Sequence, residues 1–163
     1  MNRKEAIEYK YHGARALVML HEQALRGFIE TWKTIKDNKI PLPATKDSNY
    51  TSYQTLLRHV IWWAREYMLW ICKNLEFPSP PFKPVPTPET IEAELPEYVD
   101  HLLEEWGLPL AEVPERRFFE PLYTSRWLVD YCIEAMLEHA VMHPTRHRFQ
   151  LLELLQMHRQ TNS

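Results

Sequence analysis

Glycine is scarce in this chain, three residues in 163. So few leave no GxGxxG fingerprint, no P-loop and no GxSxG elbow, which removes dinucleotide, nucleotide and serine-hydrolase readings. Cysteine is scarcer still. Cys72 and Cys132 stand about 60 residues apart with no CxxC spacing. Both sit in apolar stretches and read as buried free thiols of a reducing compartment. A catalytic thiol is the rival reading, since each cysteine shares its segment with histidine. Charge of one sign is also lacking: the net charge is -3 and the isoelectric point about 6.2. That leaves no basic footprint for nucleic acid. The longest apolar runs, VIWWA and LVML, fall far short of the ~20 residues that span a bilayer. The opening MNRKEAIEYKYHGA is charged throughout and is no signal peptide. These absences together predict a single soluble, cytoplasmic domain over residues 1–163 with no nucleic-acid or membrane partner.

Aromatic residues are plentiful, with six Trp, eight Tyr and six Phe, so a packed core is expected. Ile7, Tyr11, Ala14, Val18, His21, Leu25, Phe28, Trp32 and Ile35 recur at steps of four and three. That is a helical seam, which predicts a first helix over about 3–36 with Asn2 and Glu5 as a capping box. Thr51 and Gln54 suggest a second box, opening a helix over about 52–75 whose apolar face runs from Tyr53 to Ile71. FPSPPFKPVPTP forbids helix and predicts an extended strap. Thr87 and Pro88 then look like N-cap and first residue of a third helix, ending at Gly107 and kinked or split at Pro96. The segment from Ser125 onward reads as a long last helix. No stretch alternates with period two long enough to demand a strand. The predicted fold is all-α, a four-helix bundle with long proline-rich connections.

Histidine carries the chemistry. In HAVMHPTRHRFQ, His139, His143 and His147 fall four apart. A pair at i and i+4 on a helix can address one ion, as in HExxH, but HPTRH lacks the glutamate of a zinc protease. A third ligand must come from another helix. His59, between Leu56 and Trp63 on the inward side of the second helix, is either a satisfied core histidine or that ligand. His59, His143 and His147 together would offer three imidazoles to a divalent cation and leave open positions, the pattern of a catalytic site. Successive steps of four drift by ~40°, so His139 is assigned to the bundle interior or a dimer face. His21 reads as a core histidine. His12, His101 and His158 read as surface residues, and Glu66 as a solvated one. No paired ExxH spacing appears, so a di-iron carboxylate bundle is not expected. Three imidazoles suit zinc, nickel, iron or copper alike.

The run His143-Pro144-Thr145-Arg146-His147-Arg148-Phe149-Gln150 resembles the HxxxHRGQ signature of the DinB-like, DNA-damage-inducible family. Leu56-Leu57-Arg58-His59 followed by Trp63 resembles the family's LLxHxxxW context, about 85 residues earlier. The resemblance covers essentially the whole chain. It implies a DinB-type four-helix bundle, generally homodimeric, with a divalent metal on His59, His143 and His147. Relatives of known activity are bacillithiol S-transferases and mycothiol-dependent maleylpyruvate isomerases. The implied activity is therefore a metal-dependent transfer between a low-molecular-weight thiol and an electrophilic small molecule. The rivals are a non-catalytic dimeric metal bundle and a hydrolase working through metal-activated water. Arg148 is expected to point away from the metal toward a carboxylate or a partner subunit. Gln150, about two turns past His143, is placed to hydrogen-bond near the site. Two residues depart from the signature: Phe149 replaces glycine, filling pocket volume or altering helix packing, and Pro144 should bend the helix beside a ligand.

Overall fold

A computed structural model describes residues 7–161. Helices dominate: α1 (His12–Asp37), α2 (Tyr53–Asn74), α3 (Ile91–Trp106), the single turn α4 (Arg116–Phe119) and α5 (Ile133–Thr161). α1 packs along α5, and α2 packs against both α5 and α3. Trp32, Trp106, Phe28 and Phe118 are fully buried within one continuous apolar cluster. Burial of each ring contributes roughly 2–3 kcal/mol by area. No described helix is long and apolar enough to cross a membrane.

α1 keeps the seam read from the sequence, burying Ala14, Val18, His21, Leu25, Phe28, Trp32 and Ile35. Its start differs from the expected residue 3. Tyr11 is the N-cap, in extended conformation, and residues 7–11 are not helical. The reason is tertiary: Tyr9 is buried and donates its hydroxyl to Gly107 O at 3.1 Å, while Lys10 N bonds Ala111 O at 2.9 Å. These contacts hold the segment extended against the end of α3. The proposed Asn2–Glu5 box lies outside the described residues. α1 and α2 end alike, without glycine. Lys39 and Glu76 take positive φ, and Ile40 and Phe77 bond back to Ile35 O and Cys72 O. This is the Schellman closure of both helices.

The N-cap of α2 is Ser52, one residue later than expected, with its hydroxyl accepting from Thr55 N at 3.0 Å. The proline-rich stretch is a strap without regular structure, and its carbonyls are taken by the helices beneath. Arg58 donates to Pro86 O, Tyr98 to Lys83 O, and the His101 ring meets Pro81 O. His101, half-buried at the surface, thus also anchors the strap. Thr87 opens a turn that precedes α3, whose N-cap is Thr90. Pro96 does not split α3, which runs unbroken to Gly107. It sits in the second turn, where its missing N–H leaves only Glu92 O without a ladder partner.

The largest departure is at 125–132, where one long helix was expected from Ser125: a hairpin, β1 (Tyr123–Thr124) with β2 (Asp130–Tyr131), delays α5 to Ile133, and the loop before it carries a 3-10 turn and α4. Ser125 closes this hairpin: its hydroxyl and backbone both bond Val129, and Leu128 adopts φ 62°. Cys132 caps α5 through its sulfur, which accepts from Ala135 N.

Candidate metal centre

α2 and α5 lie side by side, and each presents a ladder of rings at four-residue spacing. His59 and Trp63 come from α2, and His147, His143 and His139 from α5. His59, His143 and His147 converge, with ligand nitrogens all within 4.8 Å of one another. The Nε2 atoms of His59 and His143 are 3.2 Å apart. Two nitrogens bound tetrahedrally to one ion at ~2.1 Å stand about 3.4 Å apart, so this pair already has the spacing a metal requires. Pro144 lies within an unbroken α5, and the His143 and His147 rings remain 4.8 Å apart.

Burial prepares the three rings as ligands. It lowers the pKa of His59, takes that of His143 down to about 2 and that of His147 to about 4. The neighbouring rings and Arg146 push His143 further in the same direction. All three imidazoles are neutral at pH 7, the state that binds metal. Among the described residues, His143 Nδ1 is buried with no hydrogen-bond partner. Its Nε2 therefore carries the ring's polar contact.

The 3-10 turn Ser48–Tyr50, ahead of α2, supplies a residue the sequence did not reveal. The Tyr50 hydroxyl is 2.9 Å from His147 Nδ1 and also meets Gln150 Oε1. One arrangement satisfies both contacts: His147 Nδ1–H donates to Tyr50, and Tyr50 donates to Gln150. That leaves His147 Nε2 bare and facing the other two rings. Gln150 thus acts near the site, as expected, but through Tyr50. Burial and the nearby Asp47 push the Tyr50 phenol up to about 12, so it remains protonated to donate. Nothing in the periodicity of PATKDSNYTS marks Tyr50, because its role comes from where the turn lands.

The other expected residues fall outside the trio. His139 stacks on Trp127 at 5.2 Å and meets Tyr67 and Tyr131 edge-on. His21 is fully buried and stacks on Trp106 at 3.9 Å. Three assignments are corrected. Glu66 is buried, not solvated, and is bonded by Arg65 and Arg126 at 2.7 Å each. Arg148 meets no carboxylate among the described residues: its Nε donates to Thr31 Oγ1 and its guanidinium lies against Gly27, which corrects the carboxylate half of that expectation. Phe149 is 63% exposed, its ring turned to solvent rather than into the core. Burial takes the Cys72 thiol up to about 11, which removes it as a nucleophile.

No family model, curated protein or solved structure matches the chain.

Proposed function

We propose that this chain is a divalent-metal protein of the DinB type, a four-helix bundle in which His59, His143 and His147 hold the ion. The reaction proposed for it is transfer involving a low-molecular-weight thiol. The observation that carries the metal reading is the convergence of three neutral imidazoles from two packed helices. The resemblance of HPTRHRFQ and LLRH to the family signature supports the choice of reaction. An ion bound by three protein ligands keeps positions open, and it would supply Lewis acidity that favours thiolate at neutral pH. The residues around it have separate tasks. Tyr50 and Gln150 fix the tautomer of His147. Trp63 and Tyr67 stand edge-on to His143, at 6.2 and 5.9 Å, and pack one side of its ring.

A non-catalytic metal bundle is the second reading, and the tightness of this packing favours it. His143, which meets both other ligand rings, is only 7% exposed. Elemental analysis of protein purified without a metal-affinity tag tests the centre. Stoichiometric metal is expected in the wild type, with loss in His59→Ala and in His143→Ala. Equal content in all three would end the metal reading. A screen of small thiols against an electrophilic acceptor tests the reaction, and turnover that disappears on chelation is expected. No turnover in metal-replete protein with any thiol would leave the non-catalytic bundle.

A further inference from the structure

We propose that the cavity between the proline-rich strap and α3 binds an organic ammonium ion with an apolar body about the size of one aromatic ring. The site shares no residue with the histidine trio and is independent of the metal reading.

α3 turns one face to the strap. Thr90, Glu94, Glu97 and Tyr98 recur at helical spacing, so they lie along a single side. Opposite them run residues 83–87, and the strap is tied down at both ends of that run. The Tyr98 hydroxyl donates to Lys83 O at 3.2 Å, and Lys83 Nζ bonds Glu97 Oε1 at 2.6 Å. From α2, Arg58 Nε donates to Pro86 O at 3.0 Å. Between these ties lies a cavity of about 400 Å³. That volume falls within the range of small-molecule sites. The prolines help keep it open, because Pro84 and Pro86 have no N–H with which to bond α3.

The lining is rich in acceptors and poor in donors. Among the described residues, the Glu94 carboxylate and the carbonyls of Pro84 and Val85 meet no hydrogen-bond donor. Lys83 is the one cation of the lining, and Glu97 holds it. The hydroxyls of Thr87 and Thr90 face each other at 3.4 Å. With Arg58 and Glu89 counted at the rim, one carboxylate remains without a cation, so a singly charged ligand completes the site. An ammonium brings donors and no acceptor, which matches this set. Pro84, Val85 and the buried Pro86 add an apolar wall, the kind of surface on which an aromatic ring packs.

Phenethylammonium and its neutral analogue 2-phenylethanol test this on the full-length protein by isothermal titration calorimetry. Phenethylammonium should bind one-to-one and about fivefold more tightly than the alcohol at low salt, the size of one half-exposed ion pair. The preference should shrink at high salt. Glu94→Gln should abolish it and melt as the wild type does, since the residue is exposed. Lys83→Met frees Glu97 and should tighten phenethylammonium binding. Val85→Trp fills the space and should block both probes. Chelating any bound metal should change none of these affinities. Absence of saturable binding by about 10 mM phenethylammonium overturns the inference and leaves the metal reading standing. So do equal affinity for the alcohol, a preference that survives Glu94→Gln, or weaker binding in Lys83→Met. Binding that ignores Val85→Trp, or that disappears on chelation, puts the ammonium elsewhere and overturns it too.

Discussion

His59 and His143 face each other across the seam between α2 and α5, Nε2 to Nε2 at 3.2 Å. Without an ion, one ring must donate its proton to the other, a single neutral hydrogen bond worth about 1 kcal/mol. With an ion, both lone pairs gain a stronger partner, and the folded state alone presents that geometry.

Zinc added to metal-free protein should therefore raise its melting temperature. At a hundredfold excess over Kd the stabilisation is about 2.7 kcal/mol, which for a chain of this size is roughly 5–10 °C. Differential scanning calorimetry should show the shift in wild type and in His139→Ala, and lose it in His143→Ala. An undiminished shift in His143→Ala would place the ion elsewhere.

Acid should weaken the metal-free fold for a reason the site supplies. Folded His147 titrates at about 4 and folded His143 at about 2, against ~6.5 in an unfolded chain. Below pH ~6.5 the unfolded chain takes up protons that the folded chain refuses, so stability falls. For His147 the loss develops between ~6.5 and about 4, and for His143 it continues toward about 2. Above pH ~6.5 these groups contribute no slope. Urea unfolding midpoints should fall from pH 7 to pH 4.5, and less steeply in His147→Ala. A midpoint that held constant over that interval would contradict the burial of the trio.

What the sequence disclosed followed from periodicity. The α1 seam and the i, i+4 pair His143–His147 are local patterns, and the helix converts them directly into faces. His59 was readable for the same reason, since Leu56 and Trp63 fix the side it shares. The larger failures lie where no periodic pattern reports. Ile7 and Tyr11 fit the helical register, yet Tyr9 bonding to Gly107 draws that segment out of helix. The 123–131 hairpin rests on Ser125 and Val129 and on pairing two residues long, below any periodic signal. Glu66 looked solvated because Arg126, its partner, is 60 residues away in sequence.

That partner makes Glu66 a sensitive position. Its carboxylate is buried, whereas Arg126 is 59% exposed and Arg65 is 26% exposed. Removing the carboxylate leaves Arg65 charged and half-buried without a counterion, so Glu66→Ala should cost about 2–3 kcal/mol. Arg126→Ala removes only an exposed partner and should cost less than about 1 kcal/mol. Equal costs by chemical denaturation would mean that the bracket on Glu66 does not hold in solution.

Tyr50 gives the sharpest mutational test of the centre, because one oxygen can be removed without disturbing the core. Tyr50→Phe keeps the half-buried ring but takes away the acceptor for His147 Nδ1–H and the donor to Gln150. His147 is then free to adopt the tautomer whose Nε2 carries the proton and cannot bind an ion. Metal affinity should fall about 10–100-fold, the usual effect of losing the group that orients a ligand histidine. Gln150→Ala leaves the Tyr50–His147 contact in place and should cost less. Stability of the metal-free protein should change by only about 1 kcal/mol in Tyr50→Phe. Competition with a chromophoric chelator measures both affinities. Wild-type affinity in Tyr50→Phe would show that packing along α5 alone orients His147, and the 3-10 turn would lose its place in the site.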